Sequence, residues 1–269
     1  MEVIEQLNAW RERYAAWKSK SRGGSLERLD GYPFVENARA PFTPLRRSLS
    51  MLNLALITSA GAYIDGTEPF DLNAPDGDYT FREIPTEIDT SDLLFSARGY
   101  DPSFVAQDVN VQIPITRLLE FAANRVIGQL NSTFWSFCGF IPDAEQLVDV
   151  TAPKLIDRLR HYEVQAALLI PASRLCHQSV ALAARAIEQA GIPTMMLSVE
   201  REVIELVHPP RAGFYQGQFG SVVGQPNWPE HQRRVLDEAL RWVESASQPG
   251  VNKLAVELES QVEAARGER

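Results

Sequence analysis

The chain has 269 residues, 45% hydrophobic and 23% charged, the proportions of an ordinary globular protein long enough to bury a core without disulfides or a structural metal. Its formal net charge of −9 argues against nucleic-acid or anionic-membrane binding, which needs a basic face, and the basic clusters Arg46-Arg47 and Arg233-Arg234 are short. Two cysteines, Cys138 and Cys176, are too few for a disulfide framework or a four-thiolate zinc site, and they fit a reducing compartment. The first twenty residues scatter their charges, unlike a signal peptide, and no run approaches the roughly 18 apolar residues of a membrane helix, so a cytoplasmic location is expected.

Along the chain, Val3, Ile4, Leu7, Trp10, Tyr14 and Trp17 recur at three- and four-residue steps, one face of an amphipathic helix that ends at residues 21–24. This helix reads as an arm packed on the body or on a second subunit, followed by an aromatic wrap over residues 29–44. The apolar run 51–57 suits a buried parallel strand that opens into Thr58 and Ser59. Residues 65–90, rich in Asp, Pro, Gly and Thr, predict a long functional loop ordered by Phe70, Tyr79 and Phe81. A strand at 93–96 and a helix at 115–129 complete the first half. The second half repeats the grammar, with a helix at 143–162 interrupted near Pro153 and a strand at 164–170 leading into a loop at Ser173. A helix at 176–190 stopped by Gly191, a strand at 193–199 and a helix at 230–247 behind Pro229 follow. A last amphipathic helix is predicted over 251–265. The expected fold is α/β, with two Rossmann-like halves of parallel strands plus N- and C-terminal helices. The divisions are a helical arm and wrap (1–44), a first half (45–135), a second half carrying the Cys176 loop (136–250) and a C-terminal helix (251–269). The hydroxyl-bearing loops at Thr58, Ser59 and Ser173 then meet beyond the carboxyl ends of the strands, across a cleft or along one continuous sheet.

The sharpest chemical feature is Ser173-Arg174-Leu175-Cys176-His177. If Ser173 caps the helix, Cys176 falls in its first turn, where backbone N–H groups and the helix dipole favour a thiolate. His177 is next in sequence but points about 100° away on a helix. A small buried core residue is the alternative reading of Cys176. Cys138, in an aromatic strand, is either a core residue or a second thiol facing Cys176. Arg82, Glu83 and Arg211 are weaker candidates, and Arg82 and Arg211 can each clamp a substrate carboxylate or lock the structure internally. Asp108 and Asn110 read as turn caps. His161, His208 and His231 have no ligand spacing, so no metal site is expected, and no glycine-rich nucleotide loop follows a strand.

An ordered set of short stretches lies within residues 40–245: Leu56-Ile57-Thr58-Ser59-Ala60-Gly61, Pro69-Phe70-Asp71-Leu72, Phe81-Arg82-Glu83-Ile84-Pro85, Gly99-Tyr100-Asp101, Asp108-Val109-Asn110 with Pro114 and Arg117-Leu118, Ile127-Gly128, Cys176-His177-Gln178-Ser179-Val180, Ala190-Gly191-Ile192-Pro193-Thr194, Pro209-Pro210-Arg211, Gly220, Gly224-Gln225-Pro226 and Gln232. With these the chain resembles the selenoprotein B family of glycine, sarcosine, betaine and D-proline reductases, in a version without selenocysteine. In that family a selenocysteine lies three residues before the cysteine, the position of Ser173 here. Its selenol attacks the carbon bearing a nitrogen substituent, and the thiol helps resolve the product. The resemblance implies a thiol-dependent oxidoreductase acting on a small amino acid or N-substituted glycine-like substrate. Cys176 would be the nucleophile, Ser173 or His177 would assist, and Thr58, Ser59, Arg82 and Arg211 would bind. No cofactor is evident in the chain, so an external dithiol or a pyruvoyl-bearing partner subunit is expected to complete the chemistry. A homo-oligomer is expected from the Trp-bearing helix. The alternatives are a cofactor-independent two-thiol racemase or isomerase, and a non-catalytic binding subunit.

Overall fold

The computed structural model describes residues 2–20 and 29–256. Its centre is β1 (Asn53–Thr58), six consecutive buried residues. Ala55 and Ile57 enter one core and Leu54 and Leu56 the other, as the two-residue period of a strand covered on both faces requires. The short strand β2 (Ala62–Ile64) leaves the main sheet to pair with β4 (Leu93–Phe95). Between them, β3 (Phe81–Pro85) forms an antiparallel edge. After α2 (Ser103–Gln107) and α3 (Ile115–Ala123) come β5 (Gln129–Leu130) and β6 (Thr133–Phe137). A helical crossover of α4 (Ala144–Gln146), a π turn (Leu147–Thr151) and α5 (Ala152–His161) leads to β7 (Ala166–Ile170). Then follow α6 (Arg174–Gln189), β8 (Thr194–Ser198), α7 (Arg201–Val207), β9 (Arg211–Phe214), α8 (Pro229–Ser245) and β10 (Gly250–Lys253).

The main sheet has the order β10-β9-β8-β7-β1-β6-β3, with β5 also paired to β1, and every pairing in it except β3 with β6 is parallel. The chain is therefore an α/β protein in which the two halves share one continuous sheet, joined where β1 meets β7. From β1 the chain reaches β6 on one side; from β6 it crosses over β1 to β7 on the other. The order reverses at β1, which makes its carboxyl end a topological switch point.

The N-terminal helix, α1 (Leu7–Lys20), folds onto the body of its own chain. Trp10, Tyr14 and Trp17 are buried against the aromatic wrap, and the indole N–H groups of Trp10 and Trp17 donate to the carbonyls of Pro33 and Asp30. The helix predicted over 115–129 ends at Ala123, because Arg125 takes a positive φ of 59° and Gly128 packs where a side chain would strike the backbone of Leu52. The long loop is ordered but not continuous, since β3 at residues 81–85 interrupts it. The tail departs from expectation at its start. Residues 250–253 are a strand beside β9, and most of the predicted last helix, from residue 257, lies outside the described residues. Among the described residues no helix is long and apolar enough to cross a membrane.

Candidate active site

The carboxyl ends of β1, β6 and β7 deliver Thr58-Ser59-Ala60, Cys138-Gly139 and Ala172-Ser173 to one place. Ser173 is the N-cap of α6, its hydroxyl oxygen accepting the N–H of Cys176 at 3.3 Å. The same hydroxyl donates to the Cys176 sulfur at 3.0 Å. Cys176 is 1% exposed, and its thiol also reaches the Ser59 carbonyl at 3.9 Å. The Ser59 hydroxyl accepts the Ala172 N–H at 3.0 Å and so ties the loop after β1 to the loop after β7. Thr58 is buried, with its hydroxyl turned back to the Ala60 N–H at 3.3 Å.

Gly139 explains how the thiol and the β1 loop come so close. A Cβ there would lie 2.5 Å from the Ser59 Cβ and 3.0 Å from the Cys176 sulfur. Only a residue without a side chain fits between them. Cys138, just before it, bridges to Ala60 and directs its thiol to the Ser96 carbonyl at 3.8 Å. Burial, and after it the charge of Cys176, pushes the Cys138 thiol up to about 12, so it is a protonated thiol at neutral pH. Tyr100 packs with Ala60, Ala172 and Cys176 and donates its hydroxyl to the Ala60 carbonyl at 2.6 Å. Burial, with both cysteines adding, drives its ionisation far above the usual tyrosine range. The loop after β9 closes over this ground, the Gly220 N–H donating to the Ala172 carbonyl at 2.8 Å.

His177 is adjacent in sequence but does not face the thiol. Its Nδ1 lies 2.7 Å from the Ser173 carbonyl, and its Nε2 accepts the Val199 N–H at 3.2 Å. This fixes the neutral Nδ1–H tautomer, and burial lowers the imidazole to about 4. With both nitrogens engaged on backbone, it is placed to hold the start of α6 against the end of β8.

Neither sequence-expected arginine has a free guanidinium at the site. Arg82 sits on β3, stacked 4.2 Å over Phe70, and donates to the carbonyls of Glu68 and Pro69 and the hydroxyl of Thr80. It pins the long loop. Arg211 starts β9, at the amino edge of the sheet and opposite the thiols, fully buried in an ion pair with Glu188 and donating to the Thr43 carbonyl at 2.7 Å. Glu83 pairs with Arg158 and accepts the Trp135 indole N–H. Asp108 caps the turn through the Asn110 N–H and binds the Gln232 side-chain amide at 2.6 Å. Tyr100 and Gly139 carried no weight as site residues in the sequence reading. The Gly99-Tyr100-Asp101 run was the available signal for the first, and nothing local marked the second. Among the described residues no cluster of potential ligands could hold a metal ion.

Fold and site together define an α/β protein with a thiol–hydroxyl pair buried at a topological switch point. No family model matches the chain, and no solved structure matches it. Among curated proteins, the D-proline reductase subunit gamma of Acetoanaerobium sticklandii is 31% identical over 200 residues, 74% of this chain and 81% of that protein. The glycine reductase complex component B subunit gamma of Symbiobacterium thermophilum is 26% identical over 167 residues, 61% of this chain and 38% of that one. The sarcosine reductase complex component B subunit beta of Peptoclostridium acidaminophilum is 26% identical over 173 residues, 62% and 38% of the respective chains. The chain belongs to this family of D-proline, glycine and sarcosine reductase subunits.

Proposed function

We propose that the chain is the thiol-bearing subunit of a reductase acting on a small amino acid or N-substituted glycine-like substrate, with Cys176 as nucleophile. The observation that carries this is the Ser173 hydroxyl donating to the Cys176 sulfur at 3.0 Å, in the first turn of a 16-residue helix at the switch point. The Ser173 hydroxyl gives the sulfur a fixed hydrogen-bond donor at the start of the helix. Ser173 cannot store electrons, so reductive cleavage of a carbon–heteroatom bond draws its two electrons from an external dithiol. A partner subunit supplies any activating carbonyl, in keeping with relatives named as subunits of reductase complexes. The protein works in the reducing cytoplasm.

The second thiol supports one other reading. Cys138 and Cys176 leave adjacent loops, and the charge of Cys176 bears on Cys138. A protonated Cys138 opposite a Cys176 base is the arrangement a two-thiol racemase uses. Alkylation by iodoacetamide at pH 7, read by mass spectrometry at each cysteine, tests the shared premise. Cys176 is expected to label at least tenfold faster than Cys138, and Ser173→Ala to slow it severalfold. Turnover of D-proline, glycine or sarcosine with a dithiol, lost in Cys176→Ser, then separates reduction from racemisation. An inert Cys176 sinks both readings and leaves a binding subunit.

A further inference from the structure

We infer that Arg98 is the carboxylate-binding residue of this site, the role that Arg82 and Arg211 are too engaged to fill. The inference rests on the proposed thiol chemistry for its substrate class but has its own geometry. Residues 96–101 thread along the site. The Ser96 carbonyl meets the Cys138 thiol at 3.8 Å, and Tyr100 donates to the Ala60 carbonyl. Between them Gly99, at a φ of 79°, lies so close that a Cβ there would be 3.2 Å from the Ser173 Cβ and 3.0 Å from the Phe140 ring. Arg98 is therefore held beside both thiol loops. Its guanidinium carbon stacks 4.4 Å over the Phe140 ring, and Nη1 donates to the Ala74 carbonyl at 3.3 Å.

Those two contacts orient the guanidinium without neutralising it. Among the described residues Arg98 faces no carboxylate within ion-pair distance, and its remaining N–H groups meet no protein acceptor. The contrast is with Arg211, closed on Glu188, and Arg82, closed on loop carbonyls. A half-buried guanidinium, stacked on an aromatic ring with part of its fork unused, suits bidentate capture of a planar carboxylate, because little side-chain freedom remains to be lost. Its positive charge also favours a thiolate at Cys138, so its field reaches that thiol. An amino-acid carboxylate held at Arg98 would sit beside the loops that carry Cys138 and Ser173.

Two alkylating agents that differ only in carboxylate against amide test this without knowledge of the substrate. Iodoacetate and iodoacetamide each transfer a two-carbon unit to sulfur with loss of iodide. The ratio of their rates at each cysteine of the full chain is compared with the ratio on glutathione, which is the reference for a free thiol. The expected result is a ratio at Cys176 or Cys138 at least tenfold above the reference. Arg98→Gln should slow iodoacetate by a much larger factor than iodoacetamide at the same sulfur, bringing the ratio down to the reference, and Arg98→Lys should keep part of the preference. A ratio equal to the reference, or one that Arg98→Gln leaves intact, overturns the assignment while the thiol reading stands. A site that neither reagent enters overturns both.

Discussion

His177 sits fully buried beside the thiol, yet both of its nitrogens are taken by backbone groups, so its chemistry is expressed in stability and not in proton transfer. Its folded-state value near 4 lies below the ordinary 6.5 of an unfolded histidine. The unfolded chain therefore binds the extra proton between those values. The contribution is complete above pH 6.5 and is lost as pH falls toward 4, about 2 kcal/mol of it by pH 5. Urea unfolding at pH 7 and pH 5 should show this loss in the wild type and not in His177→Gln. Equal losses in both would mean the imidazole is not held neutral. The sequence supplied the thiol, the capping serine and their spacing, because those are local. It did not supply the direction of the His177 ring, which depends on where the end of β8 lies. Nor did it show that Gly139 must be glycine, since that demand comes from Ser59 and Cys176, 80 and 37 positions away in the chain.

At the scale of elements, the runs with strong periodicity were legible. The apolar strands at β1, β7 and β8 and the helix α6 fall close to their expected bounds. The short strands β2, β3 and β9 were not, because their residues alternate weakly or sit inside polar, Pro-rich sequence, and tertiary pairing alone makes them strands. Arg211 shows the same limit. At the start of a strand, its role is fixed by what packs around it. Glu188 at the end of α6 accepts from Arg211, from both the N–H and the hydroxyl of Thr194 and from the Thr43 N–H, joining α6, β8, β9 and the N-terminal wrap. Breaking a buried pair on one side strands the remaining charge. Arg211→Met should cost about 3–5 kcal/mol in urea unfolding, and the double variant with Glu188→Gln should cost less than that. The iodoacetate preference at the thiols should not move in Arg211→Met, since the ion pair lies at the opposite edge of the sheet. A loss of that preference would return Arg211 to the site.

Across the whole molecule, the helix outside the α/β pattern turns out to be connected to the site by a chain of contacts. The Tyr14 hydroxyl donates to Asp76 at 2.9 Å, and Lys18 pairs with the same carboxylate. Gly77 is pressed so closely on Phe140 and Ile141 that a side chain would meet their backbone at 2.8–2.9 Å. Ala74, three residues earlier, receives Arg98, and Phe140 carries its guanidinium. The sequence identified this helix by its aromatic spacing, but not that those aromatics would be buried within their own chain, because a period of 3.6 marks an apolar face without naming what covers it. The contacts carry a directional consequence. Tyr14→Phe with Lys18→Ala removes both anchors of Asp76 while leaving the aromatic packing of Trp10 and Trp17 in place. A partly exposed ion pair contributes little to global stability, so the unfolding midpoint should hardly change. Amide exchange in residues 71–80 should rise severalfold, because the loop opens locally and not with the whole fold. With the Ala74 carbonyl less fixed, the preference for iodoacetate over iodoacetamide should fall by a smaller factor than in Arg98→Gln. Faster exchange with an unchanged preference would show that Phe140 alone orients Arg98. Unchanged exchange would mean that Gly77 and its neighbours hold the loop without help from the helix.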